Sequence, residues 1–355
     1  MRYAIEPHGA AERLAIWLGL APIAAIDVLV PLVQTRAIMA AVKLGVFEAL
    51  RDGARTPEEV AQSCRLDGNC LELLLRVLAS TRYTRRHGVR YALTRLGRRT
   101  LLRGSPGELR DYVELNYQQW RWIEGLESTL TSGTGVDFHT ALPSSSDAWA
   151  VYQRAMLELE RPVAKLLARR IPVPRHARKL LDLGGGPGLL GAAVCRAHPP
   201  LTSTVIDLEA ALPEARRLAQ SEGIAPVVTH RAGDLTDCEL EPQVDVVLLC
   251  NILHHFSGPL RAQVVRRAFE SLKPNGTIAI WETEARAAKA APELASDAIA
   301  LYFRVTSSAP ALTAFDMTKL LTEAGFERLE PERPLSARGR LLIHARKPRA
   351  ASTAW

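Results

Sequence analysis

The stretch Leu180–Leu190, LLDLGGGPGLL, constrains the fold of this chain more than any other. An apolar run closes on Asp182, Gly184, Gly186 and Gly188 follow at alternate positions, and a helical pattern starts near Leu189. Glycines at that spacing let a chain turn tightly from strand to helix and let a ligand approach the backbone closely. The spacing is not the GxGxxG of nicotinamide binding, and no GK[ST] follows to hold a phosphate. An acid two residues before the first glycine suits a cationic ligand group better than a diphosphate. Four more short apolar runs follow, TSTVID, VVTHRAGD, VDVVLLC and GTIAIWE, separated by helical segments such as 209–222 and 259–272. Strands alternating with helices predict an α/β domain, a doubly wound, mainly parallel Rossmann-like sheet with helices on both faces. The segments 326–333 and 338–346 are candidates for a closing hairpin.

The chain before residue 173 reads differently. Ile38, Val42, Val46 and Leu50 share a face at helical spacing, with Gly45 breaking the run. Thr56-Pro57-Glu58-Glu59 has the residues of a helix start, and a further helix from Asp67 carries Leu71, Leu74, Leu75 and Leu78. Two short alternations flanking Arg86-His87-Gly88 predict a hairpin. Helix, turn, helix and hairpin is the plan of a winged helix. Residues 108–170 are again helical in pattern, with a loop-like stretch at 131–147, and Pro172 and Pro174 mark a boundary. The expected organisation is a mostly helical, winged-helix-like domain at 1–105, a helical linker at 106–172, the α/β domain at 173–348 and a tail at 349–355.

The apolar stretch Leu14–Val33 is long enough to span a bilayer. Asp27 lies inside it, Pro22 and Pro31 interrupt it, and neither a basic leader nor a small-residue cleavage site marks it as a signal peptide. It is expected to be a soluble helical segment buried against another subunit, with no membrane partner. The net charge of +7 is spread along the chain and is a weak argument for nucleic acid. Five cysteines without a CxxC pair read as thiols of a reducing compartment, and the expected location is the cytoplasm. A content of 47% hydrophobic residues excludes a disordered chain.

Two further acids follow in register with the glycines. Asp207 ends the second strand, in place to accept hydrogen bonds from ribose hydroxyls, and Asp234 ends the third, where a carboxylate can hold an adenine amino group. The set resembles the class I S-adenosylmethionine-dependent methyltransferases over about residues 178–348. The fourth strand is followed by Asn251-Ile252-Leu253-His254-His255-Phe256, and a Leu-His pair there, after a winged-helix-like region, is similar to the bacterial and plant small-molecule O-methyltransferase family. That resemblance covers nearly the whole chain from about residue 26. It implies that S-adenosyl-L-methionine is held by Asp182, Gly184, Gly186, Asp207, Leu208, Asp234, Leu235 and Asn251. It implies His254 as general base and Glu282 as its acidic partner. His255 stands where the family often has Asp, Phe256 where it often has Trp, and the family's second acid maps near Ala311, where none is present. It also implies a homodimer, with the 14–50 helices interlocked between subunits and closing part of the partner's pocket.

Elementary chemistry supports the pair independently. Ligands bind beyond the carboxyl ends of strands in an open parallel sheet, and neighbouring strand ends lie about 5 Å apart. A carboxylate at one end could hold an imidazole at the other. A phenol titrates near pH ~10 and is a poor nucleophile when protonated, so a positioned base contributes roughly 10² to 10⁴ in rate. Trp120, Trp149, Tyr152, Met156, His255, Tyr302 and Phe303 are candidates to line a flat apolar pocket, Met156 resembling the family's pocket methionine; any of the aromatics could equally be ordinary core. No metal is expected. A metal-dependent variant would need His255 with Asp297 or Glu284, at no recognisable ligand spacing. The expected reaction is methyl transfer to a hydroxyl of a small aromatic or polyketide-like metabolite, with C- or N-methylation as alternatives. A cofactor-sensing winged-helix DNA-binding regulator and a catalytically silent partner subunit are further alternatives. The helix Asp67–Leu78 has few polar side chains to read bases, so dimerisation is expected over nucleic-acid binding.

Overall fold

The computed structural model describes residues 9–349 except 21, 138–140, 143–145, 288 and 308. The expected tail therefore lies outside the described residues from 350 on, as do parts of the 131–147 stretch. The chain divides into two compact units, residues 1–119 and 120–355.

The first unit is helical with one hairpin. Its elements are α1 (Ala10–Trp17), α2 (Ile23–Lys43), α3 (Val46–Ala49), α4 (Pro57–Cys64), α5 (Gly68–Ala79), β1 (Thr84–His87), β2 (Arg90–Leu93) and α6 (Arg95–Thr100). Helix α7 (Arg110–Ile123) runs across the division. Gly45, at φ +76°, separates α2 from α3 as its position predicts. At the start of α4 the Glu59 amide donates to Thr56 Oγ1, and the Thr56 amide donates to the Glu59 carboxylate, a reciprocal cap. Asp67 caps α5 by accepting from the Cys70 amide at 2.8 Å. β1 and β2 pair antiparallel across Gly88. Val42, Val46, Leu50, Leu71, Leu75 and Leu78 are buried together with Phe47 and Tyr91. Ile38 and Leu74 are half-buried at the edge of that cluster.

The apolar stretch at 14–33 differs from a single segment. α1 stops at Trp17, and the chain turns at Gly19, with φ +69°, before α2 starts at Ile23. Pro31 sits inside α2 rather than ending it. Trp17, Leu20, Val28 and Leu29 are 79%, 74%, 70% and 60% exposed. Among the described residues α2 is the one helix long and apolar enough to cross a membrane by length and composition, and it is mostly unburied.

The second unit continues with α8 (Leu126–Ser132), α9 (Ser146–Arg170), β3 (Lys179–Leu183), α10 (Leu189–Ala197), β4 (Thr202–Asp207), α11 (Leu212–Ser221), β5 (Val228–Ala232), β6 (Val244–Cys250), α12 (Gly258–Ser271), β7 (Leu272–Thr283), α13 (Leu294–Thr306), α14 (Ala314–Glu323), β8 (Glu327–Glu332) and β9 (Arg340–Arg346). Its seven strands lie in the order β5-β4-β3-β6-β7-β9-β8. Strands β5 through β7 are parallel, and β9 inserts antiparallel between β7 and β8. The closing hairpin is thus present, with its second strand on the inside. Every residue of β6 is buried, as a central strand covered on both faces requires. Leu181, Leu183, Val247, Leu249 and Ile280 face one helical layer, and Leu180, Val246, Leu248 and Trp281 face the other. The strand order reverses between β3 and β6, which puts the glycine turn and the chain after β6 at the crevice where such sheets bind ligands. Leu248 is fully buried at the centre, so Leu248→Ala should cost about 2–5 kcal/mol of stability, read as a lower urea midpoint at unchanged slope.

Candidate active site

The glycine turn is closed on every side. Gly184, Gly186 and Gly188 all have positive φ, at +68°, +51° and +82°. A Cβ on Gly184 would lie 2.6 Å from the Ile252 side chain, one on Gly186 2.9 Å from Gln153 Oε1, and one on Gly188 2.8 Å from Val228. Asp207 ties the end of β4 to this turn. Its carboxylate accepts from the Gly186 amide at 2.9 Å and from the Leu208 amide at 2.7 Å. Burial pushes the Asp207 carboxyl up to about 6, the two amides pulling it back.

Asp182 is 1% exposed, and neither carboxylate oxygen has a hydrogen-bond partner among the described residues. Burial pushes its carboxyl up to about 7; the Gly191 amide offsets part of this, and the Asp207 charge adds to it. A buried carboxylate with no better donor than the nearby Gly191 amide is costly, and a positively charged ligand relieves it. S-adenosylmethionine, the cofactor expected from the sequence, carries a sulfonium and an ammonium and so has the charge this cradle lacks.

The remaining predicted cofactor residues fall in different surroundings. Leu208 is half-buried and packs on the Trp122, Trp149 and Tyr152 cluster. Asp234 is exposed at the end of β5, its Oδ1 accepting from the amide and hydroxyl of Thr236, while Leu235 lies in the sheet core. Asn251 takes a left-handed conformation at φ +54°, and its Oδ1 accepts from Arg340.

The chain after β6 forms a short turn, Leu253–His255, that presents His254 to the end of β7. His254 Nδ1 lies 2.9 Å from Glu282 Oε2, and the Leu253 amide donates to Glu282 Oε1 at 2.8 Å. Both side chains are buried, at 5% and 2% exposure. An ionised carboxylate only accepts, so Nδ1 carries a proton, and in the neutral ring the lone pair is then on Nε2. Burial pushes the Glu282 carboxyl up, but the His254 ring, the Arg340 guanidinium and the Leu253 amide together outweigh it, and the group stands below the usual carboxylate range. Phe303 of α13 stacks on the His254 ring, centroids 4.2 Å apart at 28°, and the His255 ring is 4.0 Å away.

Two arginines that sequence reasoning missed complete the pair. Arg340, on β9, donates to Thr283 Oγ1 at 2.6 Å and lies over the Trp281 ring at 4.9 Å. Arg261, on α12, donates to the Leu253 carbonyl at 2.9 Å and to the Pro310 carbonyl at 3.0 Å. It thereby ties the histidine turn to the loop containing Ala311. The nearest acid after that loop, Asp316, is engaged with Thr313 in capping α14.

The apolar candidates form two groups. Trp149 and Tyr152 of α9 meet edge to face at 5.9 Å, beside Trp122, which sequence reasoning missed. Tyr302 and Phe303 lie 5.7 Å apart beside His254. Met156 is half-buried, one turn along α9 from Tyr152, and Trp120 is half-buried on α7. Glu284 is taken by a bidentate pair from Arg333, and Asp297 accepts from the Glu293 amide and faces Arg286, so neither is set aside as a metal ligand with His255.

The elevated acids make a pH prediction. An unfolded Asp titrates near pH ~4. Above that the folded state holds protons the unfolded state has lost, so stability from these groups falls as pH rises through about 6 and about 7. Between pH 5 and 8 the ligand-free protein should lose roughly 5 °C in melting temperature from this source, and Asp182→Asn should flatten the slope. Glu282, held below the usual range, stays ionised throughout that window.

Comparison with known proteins places the chain in a family. A family model for the O-methyltransferase domain matches residues 117–327, and one for the O-methyltransferase dimerisation domain matches residues 27–103. The chain is 26% identical over 258 residues to the N,N-dimethyltransferase OxyT of Streptomyces rimosus, covering 70% of this chain and 74% of that protein. It is 25% identical over 261 residues to the 3-hydroxy-5-methyl-1-naphthoate 3-O-methyltransferase of Streptomyces sahachiroi, covering 72% and 75%. The structure of human N-acetylserotonin methyltransferase in complex with S-adenosylmethionine superimposes with a TM-score of 0.82 at 22% identity, over 97% of this chain and 100% of that one, which shows a shared fold. With the catalytic-domain model spanning more than half of its length, the chain belongs to the O-methyltransferase family and is an S-adenosylmethionine-dependent methyltransferase.

Proposed function

We propose that this enzyme methylates a hydroxyl on a small aromatic or polyketide-like secondary metabolite, with His254 Nε2 taking the hydroxyl proton. The observation that carries the reading is the buried His254–Glu282 pair, with the Leu253 amide on the second carboxylate oxygen. Asp182, Gly184, Gly186 and Asp207 hold the cofactor, which supplies a methyl group already activated on a cationic sulfur. The chain's remaining tasks are to place the acceptor oxygen and to remove its proton. Glu282 holds the Nδ1–H and offsets the charge of the imidazolium that forms. Arg340 keeps Glu282 ionised, and the Phe303 face fixes the ring plane. Trp149, Tyr152, Met156 and Tyr302 supply flat apolar surface suited to an aromatic acceptor.

An amine acceptor is the second reading, because an N,N-dimethyltransferase is among the relatives and the family's second acid has no counterpart near Ala311. An amine with a low proton affinity needs less help from a base than a phenol. Against a panel of phenols and aryl amines, His254→Ala should lower single-turnover methylation of the phenol by roughly 10²- to 10⁴-fold and leave cofactor affinity unchanged. Glu282→Gln should lower it by about 10²-fold or more, through the wrong tautomer. Equal losses on every acceptor together with lost cofactor binding would contradict the base role.

The exposed apolar residues of α2, most of which lies within the stretch matched as a dimerisation domain, and those of α1 just before that stretch fit a homodimer in the cytoplasm better than a membrane anchor. Cys64, Cys70, Cys195, Cys238 and Cys250 are all free thiols, in keeping with that compartment. The mass in solution should be about twice 38.9 kDa, and Val28→Asp with Leu29→Asp should halve it; a monomeric wild type at micromolar concentration removes the proposal.

A further inference from the structure

We propose that Glu160 is a cofactor-binding residue: with Asp182 and Gln153 it forms a buried acceptor wall that holds the cationic methyl donor in preference to its neutral thioether product. This rests on the methyltransferase reading above.

Glu160 lies on α9, two turns beyond Gln153 and one beyond Met156, so all three share one side of the helix. That helix packs against α10, the helix that leaves the glycine turn. Gln153 is 1% exposed, and its Oε1 lies where a Cβ on Gly186 would collide with it, directly over the turn. Glu160 is 9% exposed. Gln153 Oε1, Glu160 Oε2 and both oxygens of Asp182 have no hydrogen-bond partner among the described residues. Gln153 and Glu160 on the helix and Asp182 at the strand end thus present four buried acceptor atoms without a hydrogen-bond partner among the described residues, and the charges of Asp182 and Asp207 are felt at Glu160.

What such a wall lacks is positive charge. Burial pushes the Glu160 carboxyl well above the usual carboxylate range, and the charges of Asp182 and Asp207 push it further. Burial raises the Cys250 thiol at the end of β6, and the charges of Asp182, Glu160 and Glu282 raise it further. Arg340, the arginine facing that thiol, donates to Asn251 and Thr283. Asp207 has the Gly186 and Leu208 amides. Asp182 and Glu160 remain, two carboxyls, and the methyl donor brings two positive charges, an ammonium and a sulfonium. The product keeps the ammonium and loses the sulfonium. A second buried acid therefore distinguishes donor from product by charge, whereas one acid would serve both alike. An enzyme with this feature binds its donor firmly and lets its product go, at the expense of a ligand-free state strained by unmatched acids.

The test is titration calorimetry at pH 8 with S-adenosylmethionine and S-adenosylhomocysteine, on the full-length wild type, Glu160→Gln and Glu160→Asp. Glu160→Gln keeps the shape and removes the charge. It should weaken donor binding about tenfold and product binding less than about twofold. Its ligand-free melting temperature should rise, because a crowded buried acid is gone. Glu160→Asp, which keeps the charge, should retain a donor-to-product affinity ratio near that of wild type. An unchanged ratio in Glu160→Gln, whichever way both affinities move, would overturn the proposal and leave Glu160 a packing residue. Wild-type protein that binds neither ligand would overturn the cofactor reading itself, a distinguishable failure.

Discussion

The chemistry of this protein depends on where Glu282 spends its two oxygens. One accepts from the backbone of the turn that follows β6, and the other meets the imidazole carried on that turn. The first contact positions the turn and the second fixes the ring's tautomer, so a single carboxylate sets both place and state of the proposed base. This is possible because β6 and β7 are parallel neighbours, in register to Cys250 opposite Trp281. Their ends then fall at the same height, and residues a few positions beyond them meet. Arg340 reaches the pair from the antiparallel strand β9, opposite Thr283. Arg261 holds the turn from below through its carbonyl oxygen.

At the other side of the crevice the logic is reversed. The base pair is satisfied in the free protein, whereas Asp182, Glu160 and Gln153 are left with acceptors that nothing meets. The sheet supplies the rigidity that keeps them there: Leu181 and Leu183 flank Asp182 in a strand buried from Leu180 to its end, so the carboxylate cannot turn out to water. Groups held apart from their best partners in this way are a common signature of ligand sites. In the proposed reaction the two halves of the crevice thus divide the task, one storing an electrostatic demand for a cation and the other presenting a proton acceptor.

How much of this could be read beforehand follows from which forces are local. The alternation of apolar runs with amphipathic helices, the Gly184–Gly188 turn and the caps at Thr56 and Asp67 are short-range features, and the structure has each where its sequence indicates. His254 and Glu282 could be paired because strand order in such sheets is constrained. Arg340 and Arg261 could not, because their partners are set by the insertion of β9 between β7 and β8 and by the tilt of α12, neither of which is written locally. Glu160 sits on a helix with Arg161 beside it and reads as a solvated charge until the packing of α9 on α10 is known. The break between α1 and α2 was obscured for a different reason. Apolar content marked 14–33 as one stretch interrupted by two prolines; the chain turns at Gly19 and Pro22 caps α2, whereas Pro31 lies inside that helix.

The most direct test of this account is the protonation of one ring. Nitrogen-15 spectra of histidine-labelled protein, with His254 assigned by substitution, read which nitrogen carries the proton. The account predicts a His254 tautomer with the proton on Nδ1 and a bare Nε2, and loss of that preference in Glu282→Gln. A proton on Nε2 in the wild type, or a tautomer mixture like that of free imidazole, would contradict it, because the nitrogen required to accept the hydroxyl proton would already be occupied.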